Sequence, residues 1–286
     1  MAHSCYLCGG DNFVRRNGTV RDNPELKVLE CGSCGLVFLS SFAHIESGFY
    51  EESGMHAQAI DVEAWLRQSA SDDDRRFRQF RRRMENRSVL DFGCGIGGFL
   101  TRARDVAARV CGVEVESRLT PYFCDQALDV RRQIDDFDET FDIITLFHVL
   151  EHFPDPVELL RQVAGKLKPG GQIILEVPNS EDALLTLYQC EAFAHFTYWS
   201  CHLFLFNAGT LAVVARKAGL AVDYLQHIQR YTPANHLYWL SKGRPGGHTK
   251  WDFLDSEELS VAYEKALGAI GRSDTLVCAV SRNATD

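Results

Sequence analysis

The chain is 286 residues long, 45% hydrophobic and 24% charged, with a formal net charge of -9 at pH 7. That size suits one large domain or a small module plus a medium one. The acidic balance disfavours a large polyanion as substrate, so nucleic acid is not the expected partner. No window approaches the roughly 18 consecutive apolar residues of a membrane span. The opening Met1-Ala2-His3-Ser4-Cys5 has neither a basic nor an apolar leader region, so a cytoplasmic protein with no membrane partner is expected.

Two cysteine pairs come first. Cys5-x-x-Cys8 and Cys31-x-x-Cys34 are separated by 22 residues. Each pair can place two thiolates on one metal through a tight turn, and Gly9, Gly32 and Gly35 suit those turns. Four sulfurs close a tetrahedral zinc shell and leave no position open for catalysis. About forty residues bury little core, and a metal is the usual remedy. A disulfide pair or a redox Cys-x-x-Cys are the competing readings. The expectation is a zinc ribbon over residues 1–40, with a β-like run at Lys27-Val28-Leu29-Glu30 and a turn at Arg16-Asn17-Gly18. The other cysteines (Cys94, Cys111, Cys124, Cys190, Cys201 and Cys278) are scattered, several within apolar runs. They read as buried free thiols in a reducing compartment.

Residues 41–87 read as a helical connector. Its helix is expected from about Val62 to Asn86, with Trp65, Leu66, Phe77, Phe80 and Met84 as apolar contacts. The arginines between 75 and 87 follow Asp72-Asp73-Asp74, which predicts a solvated, salt-bridged helix face.

Residues 88–286 alternate strand and helix patterns, which predicts an α/β fold with a doubly wound, seven-stranded, Rossmann-like sheet. Strands are expected at Ser88–Phe92, Val110–Glu114, Leu128–Arg131, Phe141–Phe147, Gln172–Val177, Leu220–Gln229 and Thr275–Ser281. Phe141–Phe147 is apolar enough for a central parallel strand. Helices are expected at Pro156–Leu167, stopped by Pro169-Gly170-Gly171, and at Ala208–Ala218.

The segment Val89-Leu90-Asp91-Phe92-Gly93-Cys94-Gly95-Ile96-Gly97-Gly98 runs an apolar strand into a glycine-rich turn and a helix. Gly93, Gly95 and Gly98 satisfy G-x-G-x-x-G, so a dinucleotide enzyme is one candidate. Asp91 favours another. An acid two residues before the first glycine would repel a pyrophosphate on the helix N-terminus but would suit an ammonium group. Glu114 ends the next strand, where a carboxylate can accept from ribose hydroxyls.

Asp91-Phe92-Gly93-Cys94-Gly95-Ile96-Gly97 resembles motif I of class I S-adenosylmethionine (SAM) dependent methyltransferases. Phe141-Asp142-Ile143-Ile144 resembles their fourth strand, and Leu167-Lys168-Pro169-Gly170-Gly171 their turn before the fifth. The resemblance covers roughly 88–225. It implies that Asp91 and the backbone of Gly93, Gly95 and Gly97 hold the amino-acid part of SAM. It further implies that Glu114 holds the ribose, that Ile134 and Asp135 flank the adenine, and that Phe147 and His148 face the methyl-transfer site.

Methyl transfer needs alignment and often removal of a proton, for which a histidine is suited near neutral pH. His148, Glu151 and His152 fall within one helical turn. Two readings compete for them. Many enzymes of this class carry a similar metal-free stretch in which Glu151 and His152 brace the loop. Quinone O-methyltransferases and small-RNA 2′-O-methyltransferases use a carboxylate–histidine set there for a divalent ion. The aromatic stretch from His195 through Tyr198, Trp199 and His202 to Phe206 is expected to wall the same cleft. His202-Leu-Phe-Leu-Phe206 resembles the segment of zinc-binding sugar methyltransferases that carries their catalytic histidine. Position makes the assignment: His148 leaves its strand at the expected methyl site and the 191–206 segment is expected to fold over the same cleft, so His202 is assigned as general base, with His148 as alternative and His195 as a substrate contact. The expected function is methyl transfer from SAM to a small polar acceptor, such as a sugar or sugar nucleotide. An rRNA or tRNA methyltransferase and a non-catalytic zinc-ribbon scaffold are the alternatives.

Overall fold

The computed structural model describes residues 4–46, 48–51 and 60–283. Three short strands form the N-terminal ribbon: β1 (Phe13–Arg15), β2 (Val28–Cys31) and β3 (Val37–Leu39). They pair antiparallel in the order β1-β2-β3. α1 (Val62–Met84) follows. Asp61 caps it by accepting from the Ala64 amide at 2.9 Å. Phe80 and Met84, one turn apart, are fully buried against Phe99 and Phe147, while Trp65 and Leu66 pack with Ile96 and Leu119.

The remaining strands and helices alternate, in chain order, as β4 (Ser88–Phe92), α2 (Gly98–Ala103), β5 (Arg109–Val113), α3 (Thr120–Asp125), β6 (Asp129–Arg131), β7 (Phe141–Phe147), α4 (Pro156–Gly165) and β8 (Leu167–Pro178). There follow α5 (Ala183–Thr186), α6 (Glu191–Thr197), β9 (Phe204–Leu205), α7 (Ala208–Lys217) and β10 (Leu220–Ile228). The chain ends in α8 (Pro233–Lys242), α9 (Gly247–Lys250), α10 (Glu257–Ala269) and β11 (Thr275–Arg282). The seven-stranded sheet has the order β10-β11-β8-β7-β4-β5-β6. β4 to β8 are mutually parallel, and β11 runs antiparallel to both β8 and β10. This is the expected doubly wound α/β architecture. β4 and β7 are neighbours from which the chain winds outward in opposite directions, so the crevice beyond their C-terminal ends is the switch point where such sheets take ligands.

Several expectations change in detail. The Pro169-Gly170-Gly171 turn does not precede the fifth strand. It lies inside β8 as an irregularity, where the partner of β7 jumps from Leu167 to Gln172. β9, only two residues long, leaves the large sheet altogether and pairs with ribbon strand β3, Val37 against Leu205 and Phe38 against Phe204. Of the scattered cysteines, Cys94, Cys111, Cys201 and Cys278 are buried, but Cys124 is exposed on α3 and Cys190 is half-buried. The face of α1 is not wholly solvated either. Arg76 is buried, and Arg75 and Arg76 both turn inward to Glu176, a fully buried residue of β8. A carboxylate buried near the C-terminal end of an inner strand requires a cation, and α1 supplies two.

Candidate active site

A cavity of about 680 Å³ opens at the switch point. β4 delivers Asp91 to it, and the turn after β4 delivers Gly93, Gly95 and Ile96. Gly93 has φ +75°, and a Cβ there would lie 2.5 Å from Val149 Cγ2, so the chain can turn this closely only at glycine. Glu114 enters from the end of β5, and Ile134 and Asp135 from the loop after β6. Phe147 and His148 enter from the end of β7. Gly97 is not a lining residue; it is the N-cap of α2, in the left-handed region at φ +73°.

Asp91 is buried, and Thr145 Oγ1 donates to its Oδ1 at 2.6 Å. Burial pushes its carboxyl up to about 7; the Thr145 hydroxyl and the Arg76 charge oppose that, while Asp73 and Glu114 add to it. A carboxylate so short of positive charge suits a ligand cation. Glu114 is held by two backbone amides: Gly95 N–H donates to Oε2 at 2.8 Å and Glu116 N–H to Oε1 at 2.9 Å. Both contacts leave acceptor capacity on each oxygen for a ligand hydroxyl.

His148 has φ +56°, unusual for a non-glycine residue and a form of strain found at functional sites. Its ring stands between two buried carboxylates, with Nδ1 3.3 Å from Glu151 Oε1 and Nε2 3.3 Å from Glu176 Oε1. Burial and the Arg230 charge oppose its protonation, but the two carboxylates outweigh them and raise its pKa. Burial would raise the Glu176 carboxyl, yet Arg76, His148 and Arg75 hold it well below the usual carboxylate range. Glu151 is likewise held at about 2 against its burial, by His148, His152 and His202.

His202 and His195 are not brought to the cavity. His202 sits behind His152, the ring centroids 5.0 Å apart, with its Nδ1 buried and without a hydrogen-bond partner among the described residues. Burial holds its pKa down at about 3, helped by the charge of His152. His195 is exposed on α6, where its Nδ1 meets Thr19 Oγ1 at 2.8 Å.

Two contributors to the cavity escape the sequence patterns. α1 supplies Trp65, Ser69, Asp73 and Arg76. The segment leaving the ribbon supplies Phe49, Tyr50 and Glu51, with Glu51 paired to Arg132 at 2.7 Å. His152, expected only to brace its loop or to hold a metal, is itself a lining residue. One signal for α1 was available: Glu176 lies in the apolar run Ile173-Ile174-Leu175-Glu176-Val177, where a buried charge needs a partner from elsewhere in the chain.

The ribbon cysteines converge. Cys5 Sγ and Cys34 Sγ are 3.6 Å apart, Cys8 Sγ and Cys31 Sγ 3.5 Å, and all four sulfurs lie within 4.8 Å of one another. A tetrahedron of sulfurs at ~2.3 Å from zinc has edges of about 3.8 Å, so the donor set fits that ion.

With fold and cleft established, the comparisons give the class. A family model described as a methyltransferase domain matches residues 62–225, and the chain belongs to that family. Among curated proteins it is similar to a ubiquinone biosynthesis O-methyltransferase of Hydrogenovibrio crunogenus, 26% identical over 176 residues, covering 54% of this chain and 73% of that protein. A protein of the same name from Bordetella avium is 28% identical over 189 residues, covering 60% and 75%. Among solved structures, the fold is shared with a SAM-dependent methyltransferase from Archaeoglobus fulgidus (TM-score 0.51, 20% identity, 77% of this chain and 99% of that one). It is also shared with the magnesium protoporphyrin IX methyltransferase of Synechocystis with bound SAH (TM-score 0.51, 11% identity, 85% and 100%). The chain is a SAM-dependent methyltransferase. Among the described residues no helix is long and apolar enough to cross a membrane.

Proposed function

We propose that this enzyme methylates a hydroxyl oxygen of a small polar molecule and carries one structural zinc on Cys5, Cys8, Cys31 and Cys34. The observation that carries the first part is the convergence of Asp91, Glu114, Phe147 and His148 on one cleft at the switch point. When bound, SAM supplies an electrophilic methyl group on a sulfonium. Asp91 would hold its ammonium, the Gly93–Gly95 backbone its amino-acid portion, Glu114 its ribose, and Ile134 with Asp135 its adenine. Phe147 would then border the methyl group.

The hydroxyl acceptor is supported by relatives named as O-methyltransferases of ubiquinone biosynthesis. A cavity of this size, walled on one side by Phe49 and Tyr50, favours a compact acceptor over a folded polynucleotide. The test incubates the enzyme with SAM and, separately, an o-diphenol, a sugar, a sugar nucleotide and a short structured RNA. SAH release and a one-methyl mass increase are the readouts. Turnover with a small hydroxyl compound is expected. Methylation of the RNA alone overturns this reading in favour of the nucleic-acid one. Elemental analysis should give one zinc per chain, and its absence refutes the second part.

A further inference from the structure

We propose that His152, through Nε2, takes the proton from the acceptor hydroxyl during methyl transfer, in place of His148 or His202. This rests on the methyl-transfer reading above.

The choice follows from what each imidazole nitrogen already does. An imidazole acts as a base only where one nitrogen keeps a lone pair facing the substrate. His148 has a carboxylate oxygen 3.3 Å from each nitrogen, Glu151 from Nδ1 and Glu176 from Nε2. Nδ1 is engaged by Glu151, and Nε2 is shut away from the surface with no hydrogen bond among the described residues, so neither nitrogen can present a lone pair to a substrate. His202 is not a lining residue and its Nδ1 is sealed behind His152. His152 differs from both. It lines the cavity, and its Nδ1 lies 2.9 Å from the carbonyl oxygen of Cys201. A carbonyl only accepts, so Nδ1 carries the hydrogen, and in the neutral ring Nε2 holds the lone pair. The His148 carbonyl also faces the ring, and Nδ1 is the nitrogen whose hydrogen bond is formed among the described residues.

Tyr50 fixes the orientation from a further side. Tyr50 Oη lies 3.1 Å from the His152 carbonyl oxygen and 3.2 Å from that of Cys201, and its ring stands edge-on to His152 at 5.6 Å. The groups that face the imidazole are Glu151 and His148 on its own segment, Cys201 and His202 on the segment before β9, and Tyr50 on the segment leaving the ribbon. Burial lowers the His152 pKa and outweighs the pull of Glu151, so the ring is neutral at pH 7.

In the step itself the acceptor O–H bond breaks and its proton moves to Nε2. The oxygen forms a bond to the methyl carbon of SAM. The carbon–sulfur bond breaks with its electron pair left on sulfur, giving the neutral thioether SAH. The proton then leaves His152 for water.

Long-range proton–nitrogen correlation NMR on the full chain, loaded with SAH and zinc, tests the assignment without any acceptor. The expected result at pH 7 is a neutral His152 with hydrogen on Nδ1. A His152 protonated on Nε2 at pH 7 overturns the proposal. Calorimetry on the same sample separates the two levels of inference. Failure of SAM and SAH to bind removes the methyl-transfer reading itself, whereas binding with the wrong tautomer removes only the base.

Turnover supplies the second readout, with catechol as probe acceptor. His152→Gln should lower SAH release about 10²–10⁴-fold with SAM affinity changed less than threefold. In the wild type, the acidic limb of the pH profile should fall below the ordinary histidine value. Wild-type turnover by His152→Gln overturns the proposal. So does loss of turnover on chelation with the ribbon zinc retained, because His152, Cys201 and His202 offer ligand atoms within 4.8 Å of one another and would then be holding a cation.

Discussion

Replacing Asp91 by Asn tests the cofactor cleft at the residue whose environment is most unusual. In the free protein the Asp91 carboxyl titrates at about 7. A SAM ammonium beside it requires the ionised form, so binding below pH 7 must expel a proton. The sign follows directly. Wild-type SAM affinity should fall about tenfold, or ~1.4 kcal/mol, for each pH unit below 7, and level off above it. Titration calorimetry between pH 6 and 8.5, in buffers of different ionisation enthalpy, reads both the affinity and the proton release. Asp91→Asn keeps the shape and loses the charge. At pH 8 it should weaken SAM by roughly 1.5–3 kcal/mol, the range for a charge-assisted hydrogen bond, and its affinity should not vary with pH. Unliganded stability should move the opposite way. An acid whose pKa is raised by folding stabilises most below its unfolded value, and that contribution is lost as pH rises through about 7. Above pH 7, therefore, the Asn variant should unfold at higher temperature than the wild type. A wild-type affinity flat from pH 6 to 8.5, together with an Asn variant that binds SAM as tightly, refutes the assignment of Asp91 to the ammonium.

Glu114→Ala should weaken SAM by roughly 1–3 kcal/mol, measured by calorimetry, because the ribose loses an acceptor oriented by the Gly95 and Glu116 amides. Glu176→Gln should destabilise the fold by about 3–5 kcal/mol in urea unfolding, since it strips the buried Arg76 of its counter-charge; a cost below ~1 kcal/mol would show that Asp73 alone can neutralise that arginine. Cys31→Ser should release zinc, seen by elemental analysis, and speed amide exchange at Phe38 and Phe204 while Leu90 and Ile144 stay protected.

The sheet was legible because its strands are apolar runs bounded by glycine, proline and charge. Ser88–Phe92 and Phe141–Phe147 appear with the expected limits. The cleft was legible where it lies on that frame: Asp91, Glu114, Phe147 and His148 hold their places through strand position alone. α1 was legible as a helix, but its role was not. Asp-Asp-Asp followed by arginines satisfies a surface pattern, and no local periodicity says that Arg75 and Arg76 reach a glutamate a hundred residues away. The aromatic stretch 191–206 failed differently. Phe196 and Trp239 pack 5.2 Å apart and Phe204 and Phe206 6.0 Å apart, so several of its rings serve packing, and His195 is carried to the surface. Which histidines met the cavity was decided by the turn after β7, where the Nδ1 atoms of His148 and His152 are committed to Glu151 and the Cys201 carbonyl.

The ribbon bears on that turn through a short route. β3 pairs with β9, and Leu39 N–H donates to the Leu203 carbonyl at 3.0 Å. On the other side Leu203 N–H donates to the Glu151 carbonyl at 2.8 Å. The segment holding the Cys201 carbonyl is thus clamped between the ribbon and the loop that carries His152. Tyr50, on the chain just beyond the ribbon, reaches the carbonyls of His152 and Cys201 from a third side. Asp91 and Glu114 depend on none of this, since they are set by β4, β5 and the glycine turn. Loosening the ribbon should therefore disturb the orientation of His152 long before it disturbs the cofactor cleft. Cys31→Ser should keep SAM affinity close to wild type while slowing catechol methylation. An equal loss of both would mean that the ribbon supports the whole domain rather than the proton acceptor.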